Sequence, residues 1–272
     1  MNQATSTAGR VTREQQGQVL LIGLDRATKR NAFDSAMLED LSRALGEYER
    51  DEQLRCAVLF AHGEHFTAGL DLMELTPKLA SGGIAYPEDG IAYPEDGIDP
   101  WGVIGPRRSK PVVIAVQGAC WTAGIELLLN ADIAIAASNA RFAQLEVLRG
   151  ISPAGGATLR LPRVAGWTRA MRYMLTGEEF DAATALDMGL LVEVVAPEQL
   201  LARAIDYAER IAKAAPLAVR ATLQSAFLAL EQGEEAALAQ LNPQLMQQVR
   251  SEDAREGVMA MLQKRQPVFL GR

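Results

Sequence analysis

Five short apolar runs rich in Val, Ile, Leu and Ala recur along the chain, at 18–24, 56–61, 112–116, 133–137 and 191–195. Runs of this length without polar alternation suit strands buried on both faces. Helical patterns separate them, and strand alternating with helix predicts an α/β fold built from ββα or right-handed βαβ units. Residues 35–52 read as an amphipathic helix with Leu38, Leu41, Leu45 and Tyr48 on one face and Ser35 at its start. The polar opening, MNQATSTAGRVTREQQ, lacks the apolar stretch of a secretory leader and reads as a loose tail.

Two regions differ in character. From about Pro197 onward the sequence turns rich in Ala, Leu and Glu, with Pro216 and Pro243 as helix starts or breaks. This divides the chain into a core domain over 1–196 and a helical C-terminal region over 197–272. Such helices serve either intramolecular packing or contact with another subunit. Within the core, the Gly/Pro-punctuated stretch 76–108 carries a direct duplication, Gly-Ile-Ala-Tyr-Pro-Glu-Asp at 83–89 and again at 90–96. Two copies of seven residues make no solenoid. They read as an inserted surface loop, or as a lid over an apolar pocket with Trp101 anchoring its hinge.

Composition removes several function classes. The chain is 49% hydrophobic with no apolar run near the roughly eighteen residues of a membrane span, so a membrane protein is not expected. A formal charge of −7 argues against a surface made to coat nucleic acid. Cys56 and Cys120 lie in apolar strands and read as small buried hydrophobes, which fits a cytoplasmic home. The two histidines, His62 and His65, have no Cys or carboxylate cluster at metal-ligand spacing, and neither suits a Ser/His/Asp triad.

Three segments carry chemistry. HFTAGLDL at 65–72 interrupts the polypeptide after a strand with Thr67, Gly69 and Asp71, and a glycine there lets a backbone N–H face a ligand. QGACWTAGIELLLNADIAIAA at 117–137 runs strand, small-residue turn, helix and strand, which puts the N–H groups around Ala123 and Gly124 at a helix start. Those donors favour developing negative charge. Two such N–H groups from separate loops form the usual device for holding an oxyanion or enolate. Glu126 falls in the first turn of that helix, and Glu146 follows in ARFAQLEVLRGISPAGGATLRLP. Two carboxylates in a dry pocket do not both ionise easily, so one is expected to serve as acid and the other as base. Each also has a plainer reading, Glu126 as a dipole-stabilised helix-start carboxylate and Glu146 as an ion partner of Arg141 or Arg149.

In this order the segments resemble the crotonase superfamily, the enoyl-CoA hydratase/isomerase family. LDRATKRNAF at 24–33 is similar to that family's first coenzyme-A-contacting turn, followed by FTAGLDL, AVQGACWTAGIELLLNADIAIA and FAQLEVLRGISPAGGATLRLPRVAG. The resemblance runs from about Gln18 to Arg272. It implies a ClpP/crotonase-like spiral of ββα units with helical C-terminal oligomerisation elements, as a homotrimer or a dimer of trimers. The site it implies has Leu70 and Ala123 as backbone oxyanion donors and Glu126 and Glu146 as the catalytic pair. Coenzyme A would be met by Lys29, Arg30, Ala68 and Lys264, the last across a subunit interface. The activity implied is hydration of an enoyl-CoA in acyl-CoA metabolism such as β-oxidation, with no cofactor beyond the coenzyme A of the substrate. Isomerisation or other enolate chemistry, or a non-catalytic binding role, are the alternatives. Two departures bear on these: Thr122-Ala123-Gly124 stands where many members carry Gly-Gly-Gly, and Ala154 occupies the place of the dienoyl isomerases' third carboxylate.

Overall fold

The computed structural model describes residues 8–82 and 93–272. Most of the duplicated segment, including Tyr86, lies outside them. The first surprise is at the N-terminus, where the expected tail contributes a strand. β1 (Arg10–Gln16) pairs antiparallel with β2 (Val19–Asp25) through a hairpin whose Gly17 has φ 59°. Only Val11 of β1 is buried, so its side chains carry almost no strand signal.

After α1 (Ser35–Arg50), β3 (Cys56–Ala61) adds in parallel beside β2. α2 (Leu72–Gly82) follows, so the first part of the stretch expected as loop is helical, with Pro77 accommodated inside it. β4 (Val112–Val116) then joins β3, and β5 (Ala119–Trp121) leads into α3 (Ala123–Asn130). β6 (Ile133–Ala137) pairs with β4, β7 (Arg141–Ala143) with β5, and a 3₁₀ turn spans Glu146–Arg149. Helices α4 (Ala157–Ala165) and α5 (Trp167–Thr176) precede β8 (Phe180–Asp181), α6 (Ala182–Asp187) and β9 (Glu193–Val195). The large sheet has the order β1-β2-β3-β4-β6-β9, and a small sheet has the order β5-β7-β8.

Alternate residues of the large sheet serve two cores. Leu20, Ile22, Ala57, Leu59, Val112 and Ile114 pack toward α1, α3 and the small sheet. Val19, Leu21, Val58, Val113 and Ile135 face α7 (Leu200–Ala212), whose Ala204, Ala208 and Ala212 repeat every fourth position. Burial on both faces is why these strands read as unbroken apolar runs. The cap of α1 is Asp34 rather than Ser35: its Oδ1 accepts from Met37 N at 2.8 Å, while its Oδ2 accepts from Gly9 N at 2.7 Å.

The C-terminal region continues with α8 (Pro216–Gln232), α9 (Glu234–Val249) and α10 (Glu252–Gln263). Pro216 starts α8, whereas Pro243 lies within α9. No residue of α8 is fully buried, and Leu238, Leu241 and Leu245 of α9 are exposed. Among the described residues, no helix is long and apolar enough to cross a membrane.

Candidate active site

Two loops meet where strands of both sheets end. In the first, Phe66 N donates to Gln117 O at 2.8 Å and Thr67 N to Ala119 O at 2.9 Å, so the loop after β3 is laid along β5. Phe33 then grips its far side, with Phe33 N donating to Gly69 O and Asp71 N donating to Phe33 O, both at 2.8 Å. Leu70 is left between these bonds, and its N–H has no acceptor among the described residues. Arg26 fastens the same loop to the start of α1 by pairing with Asp34 at 3.2 Å and Asp71 at 2.9 Å.

In the second loop Thr122 precedes α3 with φ 49° and ψ −113°, a conformation that L residues rarely adopt. Its N–H donates to Ala143 O, and its carbonyl accepts from Ile125 and Glu126, leaving the Ala123 N–H without an acceptor among the described residues. The two loops are in direct contact. A Cβ on Gly69, itself at φ 95°, would come 1.9 Å from Thr122 Oγ1, so only glycine fits there.

Leu70, Ala123, Glu126 and Glu146 line one cavity of about 540 Å³, walled by Leu72, Leu79, Tyr93, Trp101, Leu145 and Ile151. Both carboxylates are buried, at 4% and 7% exposure. Burial lifts Glu126 above the usual carboxylate range. Against this, N–H groups of Ala157 and Gly155 at the start of α4 hydrogen-bond its ionised form, Ala157 N at 3.1 Å, and Arg160 adds an opposite charge. Glu146 is served differently. Its Oε1 accepts from Gln144 Nε2 at 3.2 Å, and its Oε2 is buried without a partner. Burial first, and the charge of Glu126 in addition, push its pKa up to about 7. Neither Arg141 nor Arg149 forms an ion pair with it; Arg141 lies 3.9 Å from Glu179 instead. A pocket with an acceptor-free N–H on each of two loops and two unequal carboxyls is equipped to stabilise an enolate and move protons on either side of it.

Lys29 and Ala68 also line this cavity, whereas Arg30 lines a separate hollow of about 810 Å³ with His62, His65 and Arg141. Lys264 terminates α10 in a left-handed conformation and lines neither space. Among the described residues no group of three or more His, Cys, Asp and Glu is placed to hold a metal ion. Sequence reasoning missed Gln144, Asp99 and Arg160 as parts of the site. Only Gln144, two residues before Glu146, left any mark in the spacing.

The sequence profile of the Enoyl-CoA hydratase/isomerase family matches residues 14–272. The chain is 33% identical to the 2,3-dehydroadipyl-CoA hydratase of Escherichia coli (strain K12), over 94% of this chain and 97% of that protein. It is 34% identical to enoyl-CoA hydratase EchA19 of Mycobacterium tuberculosis, over 95% of this chain and 96% of that one. Among solved structures, a probable enoyl-CoA hydratase/isomerase from Mycobacterium abscessus superposes with a TM-score of 0.93 at 49% identity, over 97% of this chain and 100% of that one.

Proposed function

The chain belongs to the enoyl-CoA hydratase/isomerase family, and from that premise we propose that it adds water across the 2,3 double bond of an enoyl-CoA thioester. The substrate's thioester oxygen sits between the N–H groups of Leu70 and Ala123. Glu126, ionised, takes a proton from water as the hydroxyl adds to Cβ. Electron density moves into the thioester to give an enolate, which the two donors stabilise. Glu146, protonated, then delivers a proton to Cα and completes a 3-hydroxyacyl-CoA. Water addition moves two protons and no electrons, so the only cofactor-like group assigned is the coenzyme A of the substrate.

The observation that carries this reading is the inequality of the two carboxyls. Backbone donors at the start of α4 support the anion of Glu126, while one oxygen of Glu146 has no donor and its pKa stands near 7. Glu146→Gln keeps an oxygen to accept the hydrogen bond from Gln144 Nε2 but has no acidic proton to give. Its turnover of trans-2-butenoyl-CoA is expected to fall by about a hundredfold to ten-thousandfold with thioester binding largely kept; near-native turnover would refute the assignment. Ala154 lines the cavity where a third carboxylate would serve diene isomerisation, and this favours hydration.

Lys29 and Ala68 are assigned to coenzyme A on the wall of the cavity, with Arg30 outside it and Lys264 reaching in from a neighbouring copy. The assembly we assign is a homotrimer or a pair of trimers, supported by the exposed leucines of α9. Both cysteines are buried and unpaired, which supports a cytoplasmic setting.

A further inference from the structure

The segment from Tyr93 to Arg108 contains no strand or helix, yet polar bonds tie it down along its length. Ile98 N donates to Ser42 O at 3.0 Å. The Asp99 carboxylate accepts from the backbone N–H groups of Trp101, Val103 and Ile104 at 3.0, 2.8 and 3.0 Å. Asn130 Nδ2 donates to Pro100 O at 2.9 Å, and Arg160 donates to the carbonyls of Trp101 and Gly102 at 2.8 and 3.0 Å. This frame holds the Trp101 side chain at 4% exposure on the wall of the cavity.

Trp101 reaches both donor loops and the glycine beside Glu126. Its indole Nε1 donates to Ala123 O at 2.9 Å, on the residue whose N–H is the second donor. Its ring meets Phe33 edge-on, with centroids 5.6 Å apart and planes at 75°, and Phe33 is the residue that brackets the Leu70 donor. Its ring edge and the base flank the same glycine: a Cβ on Gly155 would lie 2.8 Å from Trp101 Cδ1 and 2.5 Å from Glu126 Oε2.

We propose that Trp101 is the positioning residue of this site, its indole N–H fixing Ala123 through its carbonyl, its ring bracing Phe33 behind Leu70, and its edge, across Gly155, keeping water from Glu126. The proposal rests on the roles assigned above to Ala123, Leu70 and Glu126. It also gives the inserted segment a purpose, since that segment carries into the catalytic wall a side chain that no regular element supplies.

Two substitutions separate the contributions. Trp101→Phe keeps an aromatic ring and loses the N–H; Trp101→Ala loses both. The oxyanion hole is read directly with butyryl-CoA labelled with ¹³C at the thioester carbonyl, a saturated ligand that cannot be hydrated. Its infrared carbonyl stretch moves to lower frequency when two donors hold the oxygen. Trp101→Phe is expected to lose a measurable part of that displacement and about tenfold in kcat on trans-2-butenoyl-CoA, with KM within about twofold. Its acid limb of kcat/KM should stay in place. Trp101→Ala should move that limb to lower pH as water reaches Glu126. The charged groups facing Glu126, namely Glu146, Arg160 and Asp99, are unchanged in both variants, so the movement reads hydration.

A native carbonyl displacement and native kcat in Trp101→Phe would overturn the proposal, and that variant decides the matter should Trp101→Ala fail to fold. If the unaltered protein polarises butyryl-CoA but hydrates no enoyl-CoA, and Trp101→Phe weakens the polarisation, the hydratase reading falls while the role of Trp101 stands. No displacement in the unaltered protein overturns both.

Discussion

At the scale of single residues, Glu146 binds its proton up to about pH 7 when folded and releases it near 4.5 in the open chain. Between those values the native state holds a proton that the unfolded state has lost, so stability contributed here falls as pH rises through the window. Above it the cost is complete, up to roughly 3 kcal/mol. Glu146→Gln, neutral throughout, is expected to melt above the unaltered protein at about pH 8 and level with it at about pH 4. Equal melting temperatures at both would show that the carboxyl is not held protonated by the fold. Gly69 supplies a second test at this scale. A methyl group there meets Thr122 Oγ1 at 1.9 Å and must also adopt φ 95°. Gly69→Ala should therefore lose about 3 kcal/mol or more in urea unfolding, together with most activity; a stable, active variant would show that the two donor loops are not seated on each other.

Among the elements, the end of α1 depends on a lysine from another part of the chain. Lys110, 1% exposed, donates from Nζ to the carbonyls of Tyr48 at 2.8 Å and Asp51 at 2.5 Å, and Tyr48 Oη donates in return to Pro111 O at 2.7 Å. Lys110→Met leaves the Tyr48 carbonyl without its donor and the Asp51 carbonyl with Leu54 N alone, so a loss of about 2–4 kcal/mol in urea unfolding is expected, with kcat unchanged where the variant stays folded. An unchanged midpoint would mean that water replaces the ammonium. Contacts of this kind explain which elements the sequence exposes. β3, β4 and β6 were legible because both their faces are buried, and the meeting of Glu126 and Glu146 in one cavity because they stand in order between recognisable turns. β1 was not, since an edge strand with one buried side chain draws its order from backbone bonds to β2. Asp34 and Ser35 are adjacent residues of equal capping character, and only the approach of Gly9 and Arg26 distinguishes them. Trp101 was visible as an anchor but not as a support of the donor loops, because the turn that aims it, though begun by the nearby Asp99, is held by Asn130 and Arg160 from distant positions.

For the whole molecule, the exposed Leu238, Leu241 and Leu245 and the place of Lys264 at the end of α10 lead to one linked expectation. Sedimentation should give a trimer or a pair of trimers, and Lys264→Ala should raise KM more than it lowers kcat while leaving the assembly intact. An active monomer with an unaltered KM in that variant would remove Lys264 from the site. The large sheet also has a property that bears on how the chain is made. Its spatial order, β1-β2-β3-β4-β6-β9, never runs backward along the sequence. Each strand that leaves the ribosome can therefore add to the open edge of those already paired, and none has to be threaded between two finished neighbours. The candidate site is completed late in that schedule: Glu126 emerges well before Ala157, so water solvates its carboxylate until the start of α4 arrives to replace that water with a backbone donor.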